Sequence, residues 1–169
     1  VANSKFAAWN DFETVQKGHI CLQDHNASDL WYRSIKIREI PATERWRFTG
    51  ESEMLFNGHN LDGWDAFLNG NETKDQVWSV KDGILTCKGT PAGYIHTQKK
   101  YQDFVLELDW RWDPVTKKEG NSGVLFRQIG EHKVWPRSIE AQLMSKNAGD
   151  FWNIEEFKMT TDPERTNGR

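Results

Sequence analysis

Residues 104–112 alternate strictly between apolar and mostly charged side chains, and this pattern constrains the fold more than any other feature of the chain. The apolar set is Phe104, Leu106, Leu108, Trp110 and Trp112. In a β-strand, a period of two places these five side chains on one face and their neighbours on the other. The strand therefore buries one face and exposes the other, as in an antiparallel sandwich.

Turn-forming dipeptides divide most of the chain into short segments. Asn-Gly begins at 57 and 69, Asp-Gly at 62 and 82, and Gly-Asn at 70 and 120. Between such breaks the pattern predicts strands at 19–23, 30–39, 78–81, 84–88, 94–97, 104–112, 124–129 and 139–143. Helical periodicity is confined to short turns at 4–12 and 61–64. We therefore predict an all-β, two-sheet sandwich with a few short helical turns.

Composition and charge limit the kinds of molecule that the chain is expected to bind. The 169 residues are enough for one ordinary domain with a core. The net charge of -3 comes from well-mixed acids and bases, which gives no electrostatic case for nucleic acid or an anionic membrane. The apolar runs are too short to span a bilayer. The chain begins without a basic and apolar leader, as a mature or excised piece of an exported protein would.

Two further runs, 121–127 and 138–144, combine an apolar face with functional groups on the opposite face. In the first run, alternation leaves Arg127 on the face opposite the apolar side chains. In the second run, Glu140 and Gln142 face away from the apolar residues. If the two strands pair across the intervening loop, these three polar side chains line one sheet surface. The pattern predicts a site there.

Several longer segments of the chain carry further motifs. They are LFNGHNLDGW, WSVKDGILTCKG, GYIHTQKKYQDFVLELDWRW, NSGVLFRQ, IEAQLM and GDFW, at 55–64, 78–89, 93–112, 121–128, 139–144 and 149–152. The content of these segments resembles the 3-keto-disaccharide hydrolase domain family. That resemblance implies a concanavalin A-like, two-sheet jelly roll, and we expect from it a periplasmic or extracellular location in a bacterium.

The order of the segments differs from that of one family copy. Residues 17–40 look like the last two strands of the domain, although they come first in this chain. We therefore divide the chain into terminal strands at 1–40, a connector at 41–53, and the N-terminal and central part of the domain at 54–169. A junction between tandem copies, a permuted chain or a chain without the middle segment would each give this order. A tandem copy or a homo-oligomer is accordingly an expected partner.

The resemblance also implies a reaction. Its substrate is a sugar whose C3 hydroxyl has been oxidised to a ketone, which makes the hydrogen on C2 acidic. A carboxylate or imidazole base removes that proton, the substituent on C1 is expelled, and water can add back to complete a hydrolysis. Such a path needs a base at C2, an acid near the leaving oxygen, and hydrogen-bond donors or positive charge at the enolate.

The candidate catalytic residues are Glu140, His25 and Asp150. Glu140 is the first choice because it lies centrally in a strand whose alternate residues are apolar. His25 is a candidate base, and it is also a possible ligand if a divalent cation takes part, although no cofactor is certain. Arg127 would supply charge at the enolate or orient Glu140. The remaining candidates for binding the carbohydrate are Gln142, Asn121, Trp152, Tyr94 and Gln23, of which the two aromatic residues would stack on a sugar face.

Each assignment has a structural alternative. Glu140 and Arg127 could form an ordinary cross-strand ion pair on a solvated surface. Asp150 could be a turn residue, and His25 could cap a hairpin. His19, His59, His96 and His132 are interpreted as surface or packing residues. At the level of function, the alternative is a non-catalytic carbohydrate-binding jelly-roll module of a larger enzyme.

Overall fold

The computed structural model describes residues 17–25, 29–40 and 51–156. Its first sheet has six antiparallel strands in the order β11 (Phe151–Ile154), β10 (Arg137–Gln142), β9 (Gly123–Ile129), β1 (His19–Asp24), β7 (Gly93–Thr97) and β4 (Trp64–Leu68). The second sheet contains β3 (Glu53–Met54), β2 (Leu30–Glu39), β6 (Ile84–Cys87), β5 (Trp78–Lys81) and β8 (Phe104–Trp112). The short helix α1 (Lys74–Val77) precedes β5. The predicted all-β, two-sheet jelly-roll sandwich is confirmed.

The hydrophobic core lies between the two sheets. Ile20 and Leu22 of β1 point inward and are fully buried against residues of the second sheet such as Leu30, Tyr32 and Leu85. The apolar alternation of β8 also faces this core, where its side chains are partly buried. Removal of these side chains from water is the main force that holds the sheets together.

Residues 17–40 supply an interior strand to each sheet. β1 lies between β7 and β9 in the first sheet, with antiparallel pairing on both sides. β2 pairs with β8 along one edge, and with β6 and β3 along the other. Residues 17–40 are therefore surrounded by strands that come later in the chain, and neither sheet is continuous without them.

The structure adds three strands that the sequence pattern did not predict. The predicted helical turn at 61–64 is instead a tight turn that leads into β4, whose first residue Trp64 is buried and donates its indole N–H to the Leu55 carbonyl, 2.8 Å away. The other two, β3 and β11, are short edge strands with mostly exposed residues, so they carry no clear apolar alternation.

The predicted helical turn at 4–12 and most of the connector lie outside the described residues. Within the described part of the chain, no helix has the length and apolar character needed to cross a membrane.

An open cleft of about 820 Å³ lies between β8 and the inner faces of β9 and β10. Its lining is largely apolar and includes Leu106, Trp110, Phe126 and Leu143. The candidate residue Glu140 does not line it, because the cleft lies on the inner side of the first sheet.

Candidate functional site

The outer face of the six-stranded sheet carries five of the predicted site residues, and we call this surface the polar face. The β1 and β7 register pairs Gln23 with Tyr94, and the β10 and β11 register pairs Glu140 with Trp152. Gln142 lies two residues after Glu140 in the same strand and so points the same way. Because the alternate residues of β1 enter the core, these five side chains lie on the side of the sheet away from the second sheet.

Glu140 occupies a nearly enclosed position on the polar face. Its residue surface is only 6% exposed. Burial raises the pKa of its carboxyl group to about 7, because the charged form loses its hydration. The carboxyl group lies over Gly123 of β9, since a Cβ atom built on Gly123 would come within 2.1 Å of Glu140 Oε1. The absence of a side chain at position 123 therefore makes the room that the Glu140 carboxyl group occupies.

His25 follows directly after β1. Glu140 pairs with Leu125, but its carboxyl group lies over Gly123, towards the end of β1 that His25 follows. The His25 imidazole packs edge-on against Trp135, with ring centroids 4.9 Å apart and an interplanar angle of 74°. Its Nδ1 atom is buried and has no hydrogen-bond partner among the described residues. Burial lowers the pKa of His25, so the neutral imidazole is favoured.

Several buried amide groups on the polar face have no hydrogen-bond partner among the described residues. Both side-chain polar atoms of Gln23 and of Gln128 are in this state. Oδ1 of Asn121, two residues before β9, is also buried without such a partner. Buried polar atoms in proteins are normally paired, so such a cluster calls for an explanation. Hydroxyl groups of a bound ligand would satisfy donors and acceptors of this kind.

The structure corrects the predicted position of Arg127. A β-bulge interrupts β9 at this point, since the register shifts against both β1 and β10 and Arg127 has φ of 57°. The bulge breaks the alternation, so Gln128 takes the outward place that Arg127 was expected to fill. Arg127 instead lines the inner cleft and lies 3.7 Å from Asp103. It does not share a surface with Glu140, and no ion pair joins these two residues.

Tyr94 and Gln142 lie on the polar face, but each already has a structural contact there. The Tyr94 ring is fully buried, and its hydroxyl lies 2.9 Å from Nδ1 of His132. It is therefore not available to stack on a sugar, because the loop that carries His132 covers it. The side-chain Oε1 of Gln142 accepts the backbone N–H groups of Leu143 and Met144, at 3.0 Å each.

Asp150 and Trp152 lie at the far edge of the polar face. The Asp150 carbonyl accepts the Gln142 N–H at 2.9 Å, which extends the pairing of β10 and β11 by one residue. Asp150 is half-buried. Trp152 is 41% exposed beside Glu140, so a ligand can reach its ring.

Four residues that the sequence analysis did not select contribute to the polar face. Gly123 makes room for Glu140, and Gln128 takes the outward position expected for Arg127. His132 covers Tyr94, and Trp135 contacts His25. A signal for Gly123 was available, because a glycine in a strand interior often marks a close approach by another group. No local pattern identifies the other three, since their positions depend on the bulge and on a loop that folds back.

Three histidines form a cluster at the other end of the polar face. His96 stacks on His132 with ring centroids 4.5 Å apart, and His19 lies 4.9 Å from His96. Nδ1 of His19 and Nδ1 of His96 both lie within hydrogen-bond distance of the Thr97 carbonyl, at 2.5 and 3.2 Å. Among the described residues, no group of three or more His, Cys, Asp or Glu side chains is placed to hold a metal ion. The divalent cation therefore stays a prediction.

Comparison with protein families gives a match to the family described as the 3-keto-alpha-glucoside-1,2-lyase-like domain. The match extends over residues 51–168, which is more than half of the chain. The chain belongs to this family. Membership supports a function on glycosides in general. No curated protein and no solved structure gave a significant match. β1 and β2 lie before the matched range, so Gln23 and His25 reach the polar face from outside it.

Proposed function

We propose that this chain cleaves glycosides of 3-keto-sugars, either 3-keto-disaccharides or 3-keto-glucosides. The observation that carries the proposal is the pair of ionisable groups on the polar face. Burial raises the pKa of Glu140 to about 7, whereas it lowers the pKa of His25. A carboxylic acid that keeps its proton and an imidazole that stays neutral are the acid and base that an elimination requires.

In the proposed reaction, the neutral His25 imidazole removes the proton from C2, and the electron pair of that bond forms an enolate with the C3 ketone. Donors such as the unpartnered Gln23 amide would hydrogen-bond the enolate oxygen. The enolate then collapses, the C1–O bond breaks, and the Glu140 carboxyl group protonates the leaving oxygen. The products are an unsaturated 3-keto-sugar with a C1–C2 double bond and a free alcohol, and addition of water to that bond would complete a hydrolysis.

The proposal is tested by mixing the purified chain with a 3-keto-glucoside and following release of the leaving group. The parent glucoside with a C3 hydroxyl is the matched control, because its C2 hydrogen is not acidic and it should not be cleaved. We expect His25→Ala to lower kcat by about 10²- to 10⁴-fold, which is the usual contribution of a general base. Deuterium at C2 should slow the wild-type reaction.

The same experiment distinguishes the alternative function. Saturable binding of the 3-keto-glucoside without any release would contradict the proposed cleavage and favour a non-catalytic carbohydrate-binding module. Equal cleavage of the parent glucoside would show that the ketone plays no part, which would also contradict the proposal.

The pH dependence of the reaction should be bell-shaped and narrow. Glu140 must hold its proton to act as the acid, so activity should fall as the pH rises through its pKa of about 7. His25 must be neutral to act as the base, so activity should fall as the pH drops below its lowered pKa. The measurement is kcat/KM for the 3-keto-glucoside between about pH 4.5 and 9, a range that spans the pKa values of both groups. Activity that keeps rising well above neutral pH would contradict Glu140 as the acid.

A further inference from the structure

The loop of residues 130–136, which joins β9 to β10, folds back over the polar face. It is attached there at His132, whose ring stacks on His96 at 4.5 Å and whose Nδ1 lies 2.9 Å from the Tyr94 hydroxyl. At its other end, the Ser138 hydroxyl donates to the Pro136 carbonyl at 2.9 Å. The loop is therefore attached to β7 through His132, and a local hydrogen bond shapes its return into β10.

Trp135 lies between these two attachments and meets His25. The two rings pack edge-to-face at 4.9 Å, yet Trp135 remains 44% exposed. Burial in the core therefore does not explain why a large apolar side chain occupies this position. Among the described residues, the aromatic ring that Trp135 packs against is that of His25.

The contact with Trp135 bears on the orientation of the His25 ring. Its Nδ1 atom has no hydrogen-bond partner among the described residues, so no described donor or acceptor fixes the plane of the ring at that atom. Aromatic packing in an edge-to-face arrangement prefers a defined geometry, so the Trp135 ring restricts the plane of the imidazole.

We infer that the 130–136 loop positions His25, with His132 attaching the loop and Trp135 setting the plane of the imidazole. Trp135 is a positioning residue in this arrangement, because it acts through His25. The inference rests on the proposed function for its catalytic consequence. Its structural part, the orientation of His25 by Trp135, can be tested without any turnover.

The structural part is tested by NMR of the His25 ring protons in the wild-type chain, assigned by comparison with His25→Ala. Loss of the indole ring current would move these resonances by itself, so the plane of the ring is read from the NOEs between the His25 ring protons and its own β-protons. Trp135→Ala should change the relative intensities of these NOEs, and Trp135→Phe should restore them in part. Trp31→Ala is the matched control, because Trp31 lies in the second sheet beneath Arg111 at 4.6 Å. NOE intensities that are the same in Trp135→Ala and in the wild type would overturn the inference.

The catalytic part is tested with the 3-keto-glucoside. We expect Trp135→Ala to lower kcat roughly tenfold or more, since a misplaced base loses rate while substrate binding is retained. KM should change little, and Trp135→Phe should recover most of the rate. A raised KM with unchanged kcat would show that Trp135 only contacts substrate and would overturn the positioning role. If the wild-type chain releases nothing, the proposed function fails, while the NMR result still decides whether Trp135 orients His25.

Discussion

Glu140→Gln should lower kcat for cleavage of a 3-keto-glucoside by about 10²- to 10⁴-fold, the range expected for loss of a general acid. Glutamine has nearly the same shape as glutamic acid, so it should occupy the same space over Gly123. It cannot donate an acidic proton to the leaving oxygen. The measurement is single-turnover release of the leaving group, with circular dichroism and thermal unfolding to verify that the fold is intact.

Two observations would refine or contradict this expectation. The loss should be smaller for a leaving group with a low pKa, such as a nitrophenol, because such an oxygen departs without protonation. An equal loss for acidic and basic leaving groups would contradict the role of Glu140 as the acid. Retention of wild-type rate in Glu140→Gln would remove Glu140 from the reaction altogether.

Gly123→Ala tests the position of the Glu140 carboxyl group without changing Glu140 itself. The added Cβ would lie 2.1 Å from Oε1 and 2.6 Å from Cγ of Glu140, a separation that forces the side chain to move. We expect a comparable loss of kcat, because the carboxyl group would be displaced. In the Glu140→Gln background the same substitution should cost little more, since residues that act as one unit are not additive. Fully additive losses would show that Gly123 acts by another route.

Leu22→Ala should lower the free energy of unfolding by about 2–5 kcal/mol, the usual range for truncation of a buried leucine. Leu22 is fully buried between the sheets, at the centre of β1. The substitution removes core packing from a strand that comes from the first part of the chain. The measurement is chemical denaturation followed by tryptophan fluorescence.

Val115→Ala is the control for this experiment, because Val115 is 83% exposed and its truncation should have almost no effect. A loss for Leu22→Ala as small as that for Val115→Ala would mean that β1 does not complete this domain in solution. The outcome therefore tests whether residues 17–40 belong to the same folding unit as the strands around them.

Strand alternation predicted much of the architecture because burial imposes a period of two on any strand that is covered on one side. The nine-residue pattern at 104–112 became β8 with its apolar face on the core. The same rule placed Glu140 and Gln142 on the surface opposite the core. It failed for β3 and β11, since short and exposed edge strands carry no such pattern.

Alternation also failed at Arg127, for a different physical reason. One extra residue in β9 is accommodated by a bulge with positive φ, and this exchanges the faces of every later residue in the strand. Residues 124–129 contain no glycine or proline that would mark the irregularity. As a result Gln128, and not Arg127, reaches the polar face.

The sequence by itself determined the all-β sandwich, the family and the outward position of Glu140, because these depend on local alternation and on motifs that are continuous in the chain. The tertiary structure alone decided that β1 lies between β7 and β9, that Gly123 makes room for the Glu140 carboxyl group, and that Trp135 contacts His25. Each of these depends on which distant strands pair and on how a loop folds back. Contacts between segments separated by dozens of residues leave no periodic signal in either segment.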